Sequence, residues 1–427
     1  MMRVGLSVEE AIQAIMDYVK PVNSIEIHVK DAFNYVLAED MYASVPVPPF
    51  DRSMMDGFAI RAEDVQHATP EHPVKLRVQG RVGAGEVSDH ILMPGEAIRI
   101  MTGAPIPRGA NAVARFEITD AQHSPDAEHI AVLLPVREGE SISVKGEDIQ
   151  AGAKILEKGA VIGAAEMALL ATVGVSKVTV YRKPIIGVLS SGRELIGLEH
   201  PLAPGKIYNS NSYMLSGLIS AWGGIPYLLE QVDDEVNAVA EAIQMAMPVV
   251  DALVTTGGVS VGDYDVMREA YQQAGGQVEF WKVNMRPGTP FTFATVVEKP
   301  VFGLSGNPAA GYVNAVLFLQ GAIRAMAGYS EPLSKPLQVV LADVPEWKTI
   351  GMDRFLRARI VIEEGRAAAY PLAYGQSAGI MSTLSGIQGF IRILARTEVK
   401  QGDLVEAYLL EMPIPALNNT LPGGEQE

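Results

Sequence analysis

Two kinds of apolar run alternate along the chain between Tyr181 and Gly328, and this alternation constrains the fold more than any other feature. Short β-branched runs indicate strands, whereas runs with apolar residues three and four apart indicate helices. Such alternation is typical of a mostly parallel sheet covered by helices. Ligands of these sheets bind outside the carboxyl ends of the strands. We therefore expect a candidate site where strands such as "PIIGVLSSG" and "VDALVTTGG" end.

The flanking segments follow other patterns. "SVEEAIQAIMDYV" predicts a helix, with capping-box spacing between Ser7 and Glu10, and "DAFNYVLAEDM" predicts a second one. Short apolar runs between Gly and Pro turns then indicate β structure, before a helix at "AAEMALLATVG" that we expect to rejoin the first two. The predicted division has five parts: a discontinuous helical N-terminal domain (1–43 plus 144–180), a β-rich insert (44–143), a three-layer α/β domain (181–331), a C-terminal β domain (332–415) and a disordered tail (416–427).

Charge and cysteine content exclude several classes of function. The 427 residues carry a formal net charge of −16, so we expect no nonspecific nucleic-acid binding, which needs a basic surface. The absence of cysteine excludes disulfides, thiolate catalysis and cysteine zinc sites, and it suits a reducing cytoplasm. Neither a signal peptide nor a run of about 18 apolar residues is found, so we expect no membrane span.

A glycine-rich stretch, "TTGGVSVGDYD", follows one predicted strand. Backbone N–H groups of such a turn can bind a phosphate, and Asp263 or Asp265 could hold a divalent cation beside it. The alternative is a tight turn in which one of these aspartates caps the next helix. The stretch is neither a Walker loop nor a dinucleotide fingerprint.

Two further strand ends carry polar residues. Lys282 and Arg286 lie four positions apart in "WKVNMRPGTP", where they could clamp an oxyanion or form a solvated pair. Ser305 and Asn307 precede Pro308 in "GLSGNPAAG", which fits a helix start whose N–H groups can also bind an anion.

Other polar residues at turns are equally compatible with ordinary turn and capping chemistry. This group comprises Glu194 in "SSGREL", Asp233 and Asp234 in "QVDDEV", Asp51 to Ser53 and Asp56 in "PPFDRSMMDGFAI", and Thr102 in "RIMTGAPIP". Histidine metal spacings and the G-x-S-x-G elbow are both absent from the sequence.

The combination of motifs resembles the molybdopterin molybdenumtransferase family, which includes bacterial MoeA and the E domain of gephyrin. The resemblance rests on six motifs in order: "SMMDGFA", "RIMTGAPIP", "SSGREL", "TTGGVSVGDYD", "WKVNMRPGTPF" and "LSGNPAA". It implies an L-shaped subunit of four parts in an elongated homodimer. It also implies a Mg²⁺-dependent reaction of adenylylated molybdopterin with molybdate, which releases AMP and molybdenum cofactor. Molybdopterin adenylyltransferase is the implied substrate donor, and the site lies between the α/β domain and the partner's insert.

The resemblance also assigns roles to individual residues. The catalytic set that it implies consists of Asp56, Thr102, Glu194, Asp263, Lys282 and Arg286. The cofactor-binding set consists of Gly257, Gly258, Ser260, Gly262, Ser305, Asn307, Pro308 and Arg357. The metal ligands implied are Glu194, Asp233 and Asp263, and Asp148 matches another family acid.

The sequence departs from the family pattern at several of these motifs. Arg193 stands where the family commonly has an acid, and Ser305 stands where it has proline. Arg286 keeps the charge of the usual lysine, whereas Thr289 loses the charge of a second one. We expect these changes to alter anion binding more than the class of reaction, with Arg193 supplying a charge near the site.

Two rival functions remain compatible with the sequence. A chain of this fold could be a non-catalytic dimeric scaffold, or it could be a related nucleotide pyrophosphate hydrolase. AMP release from adenylylated molybdopterin separates the three possibilities, because only the transferase reaction depends on molybdate.

Overall fold

The computed structural model describes residues 2–123, 128–258, 266–344 and 349–410. Its largest element is a seven-stranded sheet in which every strand except Thr292–Val296 is parallel to the others. The strands in order are Arg3–Leu6, Gln277–Val283, Thr292–Val296, Lys299–Leu304, Ala252–Thr256, Ile185–Ser190 and Ile225–Leu228. The predicted mostly parallel sheet is confirmed.

Helices cover both faces of this sheet. One face packs against Val8–Tyr18, Ser210–Ala221 and a long helix made of Pro308–Asn314, a π-helical segment Ala315–Leu319 and Gln320–Met326. The other face packs against Val236–Ala246 and Val266–Gln273. The apolar side chains between the layers are almost fully buried, as the predicted three-layer α/β domain requires.

The N-terminal residues belong to this sheet. Helix Val8–Tyr18 begins at Ser7 with the predicted capping box, and its buried face contacts the core beneath the sheet. Strand Arg3–Leu6 pairs in parallel with Gln277–Val283. This arrangement differs from the predicted unit of 1–43 plus 144–180, because the apolar period identifies a buried face without identifying what covers it.

The chain segments that connect the large sheet with the insert form a smaller unit. It contains a three-stranded sheet of Ser24–His28, Lys177–Tyr181 and Val36–Leu37, the pair Met41–Tyr42 and Lys154–Leu156, and helix Ala164–Thr172. The helix predicted at "DAFNYVLAEDM" is wrong: it is replaced by one 3-10 turn, Val29–Asp31, and short strands. Pairing with Lys177–Tyr181 overrides the local helical pattern.

The predicted β-rich insert is a five-stranded sheet with its own core. Its strands in order are His129–Val132, Val74–Val82, Glu96–Ile100, Gly57–Ile60 and Ala112–Arg115. The pair Arg52–Ser53 and Ile142–Ser143 joins its entry and exit. Three 3-10 segments accompany the sheet: Ala62–Val65, Phe116–Ile118 and Asp120–His123.

The C-terminal domain is a closed barrel, because Gly389–Ile393 pairs back onto Asp353–Glu363. The barrel strands in order are Asp353–Glu363, Arg366–Pro371, Leu337–Leu341, Leu404–Leu409 and Gly389–Ile393, with one 3-10 turn at Ser382–Leu384. A two-residue strand of the α/β domain, Met285–Arg286, pairs with the barrel strand Asp353–Glu363. Within the described ranges, no helix combines the length and apolarity needed to cross a membrane.

Candidate functional site

Three adjacent parallel strands end at the same edge of the large sheet. The last residues of these strands are Ser190, Thr256 and Leu304, and the loops that follow them enclose a cavity of about 650 Å³. Six predicted residues line this cavity: Glu194, Gly257, Gly258, Ser305, Asn307 and Pro308. The parallel topology therefore gathers residues that lie more than a hundred positions apart in the sequence.

The cavity floor requires glycine at position 257. Gly257 has φ +95°, and a Cβ atom there would lie 2.1 Å from the backbone oxygen of Ser191. A Cβ atom on Gly306 would in turn lie 3.3 Å from the Cα of Gly257. The three loops are therefore in close backbone contact, and a side chain at 257 would push them apart.

Asn211 joins these loops, although the sequence does not single it out. Its Nδ2 donates hydrogen bonds to Thr256 Oγ1 and to the backbone oxygen of Gly306, both at 2.8 Å. Because a carbonyl oxygen only accepts, these bonds fix the orientation of the amide. "NSNSYM" predicts a helix start there, but the pattern does not say where the Asn211 side chain points.

The same helix start faces the cavity through other side chains. Asn209 is the N-cap of Ser210–Ala221 and accepts a hydrogen bond from the backbone N–H of Ser212. The hydroxyl of Ser212 lies 2.9 Å from that of Ser190, the last residue of its strand. The amino end of this 12-residue helix thus lies at the cavity, where its N–H groups favour an anion.

The acidic residues at the cavity are Glu194 and Asp234. The predicted metal ligand Asp233 is exposed and does not line the cavity. Asp234 Oδ1 is buried and has no hydrogen-bond partner in the described part of the chain. The alternative in which Asp234 caps the next helix is wrong, because Glu235 is the N-cap of Val236–Ala246 and no side chain caps that helix.

Neither residue of the predicted basic pair lines the cavity, and only Lys282 lies in the large sheet. Lys282 is the penultimate residue of the strand Gln277–Val283, which lies two strands from Lys299–Leu304 and therefore about 10 Å from it. Its Nζ lies 3.8 Å from the ring centroid of Trp281, and its φ of +64° is unusual for lysine. Arg286 is exposed and lies at the junction with the barrel.

The turn at Gly288, between the basic pair and the cavity, is held by hydrogen bonds from neighbouring side chains. Asn314 is fully buried in the long helix and donates a hydrogen bond from Nδ2 to the backbone oxygen of Gly288 at 2.9 Å. Thr289 Oγ1 donates to the backbone oxygen of Met285, and Pro290 reaches the cavity wall. The turn is therefore a fixed connection from Arg286 to the cavity.

Arg193 does not supply a charge to the cavity. Its Nη2 lies 2.7 Å from Glu235 Oε1, and both side chains are exposed at the surface. Arg193, which was expected to replace the positive charge missing at Thr289, therefore forms an ion pair with Glu235 at the surface. The residues that differ from the family pattern at positions 193 and 289 both have their own local partners.

Asp56 and Thr102 contact each other in the insert. The backbone N–H and the hydroxyl of Thr102 both donate to Asp56 Oδ1, at 2.7 and 2.9 Å. These two bonds, the backbone bond above all, lower the pKa of Asp56. Neither residue lines the α/β cavity of the same chain, and the family acid Asp148 is exposed.

Arg357 is buried in the barrel and is not among the residues that line the cavity. Among the described residues, the barrel reaches the cavity through Gly379. Four residues of the glycine-rich loop, Ser260, Gly262, Asp263 and Asp265, lie outside the described residues. The described ranges contain no group of three or more histidine or acidic residues that could hold a metal ion.

Three family models match successive parts of the chain. The MoeA N-terminal region (domain I and II) matches residues 6–174, a probable molybdopterin binding domain matches 187–325, and the MoeA C-terminal region (domain IV) matches 343–410. The strand-end loops that form the cavity lie within the second of these matches.

Relatives and a solved structure match the chain over nearly its whole length. The molybdopterin molybdenumtransferase of Bacillus subtilis (strain 168) is 38% identical over 410 residues, covering 96% of this chain and 95% of the relative. That of Staphylococcus epidermidis (strain ATCC 12228) is 35% identical, with 96% of each chain covered. The molybdopterin biosynthesis MoeA protein from Pyrococcus horikoshii has a TM-score of 0.82 and 30% identity, covering 95% of this chain and 99% of that chain. The chain therefore belongs to the MoeA family of molybdopterin molybdenumtransferases, which are transferase enzymes.

Proposed function

We propose that this protein transfers molybdenum from molybdate to adenylylated molybdopterin and releases AMP. The observation that carries the proposal is the cavity at the carboxyl ends of three parallel strands, within the segment similar to a probable molybdopterin binding domain. Its glycine loops and the helix start at Asn209 provide N–H groups for phosphate oxygens. The names of the relatives support the same reaction.

The acids of the cavity fit a magnesium ion. Glu194 and Asp234 are oxygen ligands of the kind that Mg²⁺ prefers, and Asp234 Oδ1 has no partner within the described ranges. Asp263 joins them on the strength of the sequence motif alone. A bound Mg²⁺ would neutralise the charge that develops on phosphate oxygens as a phosphoanhydride breaks.

The reaction can proceed without a nucleophile from the protein. An oxygen of molybdate bonds to the adenylyl phosphorus, and the bond from that phosphorus to the bridging oxygen breaks. The bridging oxygen leaves with molybdopterin phosphate. When the Mo–O bond to the adenylyl group then breaks, its oxygen stays on AMP, and molybdenum with its three other oxygens binds the two dithiolene sulfurs. The residues at the cavity bind and orient the two substrates, which lowers the barrier by positioning.

Lys282 and Arg286 form the proposed molybdate pocket beside the cavity. Lys282 lies near the carboxyl end of its strand in the large sheet, and Arg286 lies in the two-residue strand that pairs with the barrel. The anchored turn at Gly288 joins this segment to the cavity. A guanidinium can donate two parallel hydrogen bonds to an oxyanion, which suits a tetrahedral dianion. In a protein of net charge −16, these two cations would supply local positive charge for an anionic substrate.

The proposed active unit is a homodimer with a shared cleft. Asp56 and Thr102 do not line the cavity of their own chain, and they would complete the site of the partner subunit. Molybdopterin adenylyltransferase is the proposed donor of the substrate, and a reducing cytoplasm is the proposed compartment. No role for nucleic acid is proposed, because the net charge is −16.

The test follows AMP release from adenylylated molybdopterin and Mg²⁺, with and without molybdate. We expect release that depends on molybdate, and we expect Asp234→Asn to lower its rate by about 100-fold because a charge-neutralising group is lost. Glu241→Gln, which removes an exposed carboxylate outside the cavity, is the matched control. Asp233→Asn shows which of the two neighbouring aspartates the reaction uses.

The other outcomes are equally informative. Release that ignores molybdate would make the protein a hydrolase, and no release from folded wild-type protein would favour a scaffold. If Asp234→Asn keeps full activity, the metal is bound elsewhere.

A further inference from the structure

The backbone of Lys282 has an unusual conformation. Its φ is +64°, in the left-handed region that a lysine rarely adopts and that costs free energy. In a regular strand, neighbouring side chains such as those of Trp281 and Lys282 point to opposite faces of the sheet. Because φ is the rotation about the N–Cα bond, a change of its sign turns the Lys282 side chain relative to Trp281. The end of this strand thus lets two neighbouring side chains meet.

The side chains of Trp281 and Lys282 are in contact. Lys282 Nζ lies 3.8 Å from the centroid of the Trp281 ring, well within the distance of about 6 Å at which a cation is attracted to an aromatic face. The indole Nε1 of Trp281 is buried and has no hydrogen-bond partner among the described residues. Since a buried indole N–H normally has an acceptor, no hydrogen bond within the described ranges accounts for this tryptophan. Its ring instead provides an attractive surface for the ammonium group.

A second cation contacts the same ring. The guanidinium carbon of Arg268 lies 4.9 Å from the centroid of Trp281. Arg268 belongs to helix Val266–Gln273, which follows the glycine-rich stretch in the sequence. Two cations on one ring are at most about 9 Å apart, which is about the Debye length at physiological ionic strength, so their repulsion is only partly screened. The ring therefore holds two positive charges close together, an arrangement that a bound anion would stabilise.

The contact lies level with the strand ends at the cavity. Trp281 is paired with Thr292, and Thr292 is paired with Gly303. The next residue along the strand, Lys282, is therefore level with Leu304, the last residue of a strand that ends at the cavity. The ring thus fixes a positive charge at the height of these strand ends, where the proposed molybdate pocket lies.

We propose that Trp281 is a positioning residue for molybdate binding: its ring holds the ammonium of Lys282 in the place where the anion binds. The proposal rests on the proposed function, in that Lys282 contributes to the molybdate pocket. It assigns no contact between Trp281 and molybdate. Without the ring, the long side chain of Lys282 would have many rotamers available, and an anion would have to order it on binding. The left-handed backbone of Lys282 is then the conformation that the contact requires.

The experiment measures molybdate binding by calorimetry on full-length Trp281→Leu, Trp281→Phe and Lys282→Ala proteins. We expect Trp281→Leu to weaken molybdate binding by about fivefold, because a cation–π contact at a partly exposed site is worth a factor of this order. Phenylalanine offers a weaker aromatic face, so Trp281→Phe should weaken binding by about twofold. In the Lys282→Ala background, Trp281→Leu should have no further effect, because the ring acts only through the lysine.

The contact itself has a readout that needs no ligand. In protein labelled on its lysine side chains, the ε-methylene of Lys282 should show the upfield NMR shift of a group over an aromatic ring, and Trp281→Leu should abolish that shift. Tyr35→Leu is the matched control, because Lys183 Nζ lies 5.0 Å from the Tyr35 ring and neither residue lines the cavity. This variant loses a cation–π contact outside the site, so it should bind molybdate with wild-type affinity.

Wild-type molybdate affinity in a folded Trp281→Leu protein would overturn the proposal, as would an NMR shift of Lys282 that this variant leaves unchanged. A loss of affinity that persists in the Lys282→Ala background would also overturn it, because Trp281 would then contact the ligand directly. If Trp281→Leu does not fold, Trp281→Phe decides, and wild-type affinity in that variant is the overturning result. Failure of the wild-type protein to bind molybdate would instead count against the proposed function.

Discussion

The α/β domain and the β insert both contain residues that the family motifs assign to the active site, yet a single chain assembles them to very different degrees. In the α/β domain, loops from three strands meet at a cavity of about 650 Å³. In the insert, Asp56 and Thr102 contact each other at the ends of two antiparallel strands and line no part of that cavity. One region is an open pocket lined by several loops, and the other is a pair of residues on a surface.

The difference follows from sheet topology. Parallel strands place all their carboxyl ends at one edge, so residues far apart in sequence meet there. Antiparallel neighbours place successive ends at opposite edges, so the insert brings together only a local pair. A single chain therefore assembles the α/β side of the site, whereas its insert residues lie outside that cavity.

The largest expected effect is at Gly257. Gly257→Ala places a Cβ atom 2.1 Å from the oxygen of Ser191, so the loops at the cavity must separate. We expect molybdate-dependent AMP release to fall by about 100-fold or more, because the loop proposed to bind phosphate is displaced. Steady-state AMP release, with the thermal unfolding midpoint measured in parallel, checks this prediction.

Gly275→Ala is the control for backbone strain. Gly275 also has a positive φ, +84°, but a Cβ atom there would have no neighbour within 4 Å. Its alanine variant should lose about 1 kcal/mol of stability and keep its activity. Equal losses of activity in the two variants would mean that strain, and not displacement of the cavity loops, causes the effect.

The second prediction concerns how the two regions join. In the proposed homodimer, Asp56→Ala and Asp234→Asn should each lower AMP release by about 100-fold while leaving the other region intact. If the site is shared between subunits, a mixed dimer has one intact site. Random mixing of the two inactive chains should then restore about a quarter of wild-type activity, since half of the dimers are mixed.

The measurement is AMP release after the two variants are unfolded together and refolded, or after they are coexpressed. Wild-type chains mixed with either variant give the reference for exchange. If the mixture is no more active than the single variants, the insert of one subunit does not complete the site of the other. Asp56 and Thr102 would then have no role in the proposed site of the partner subunit.

The sequence predicts the α/β side well because strand ends have local signals. Glycine and proline punctuate the short apolar runs, so motifs such as "TTGG" and "SGNP" mark the loops that follow strands. Parallel topology then places those loops together without any further information. Six predicted site residues line the cavity for this reason.

Other features depend on contacts that no local pattern specifies. Arg3–Leu6 is a strand because it pairs with Gln277–Val283, more than 270 positions away. Asn211 contacts the loops because of the rotation of its helix. Asp234 lines the cavity and its neighbour Asp233 does not, because adjacent side chains point in different directions. The motif "DRFLRA" identifies Arg357, but it does not indicate that the Arg357 side chain is buried within the barrel domain.

The smallest expected effect tests whether the Asp56–Thr102 pair is tuned for a charged partner. Two donors from Thr102 lower the pKa of Asp56, because they stabilise its ionised form. Thr102→Val removes the hydroxyl donor and leaves the backbone N–H, so the pKa of Asp56 should rise toward its ordinary value. The carboxylate then protonates at a higher pH, and the acidic limb of the rate profile moves up with it.

Thr102→Ser is the matched variant, since it keeps the hydroxyl donor and loses only a methyl group. Carboxyl NMR of Asp56, together with the rate of AMP release across the acidic range, measures both quantities on one protein. A pKa that rises with no movement of the acidic limb would mean that the ionised form of Asp56 has no part in the rate. The pair would then be a structural link between two strand ends, and the insert would contribute shape but no charge to the proposed shared cleft.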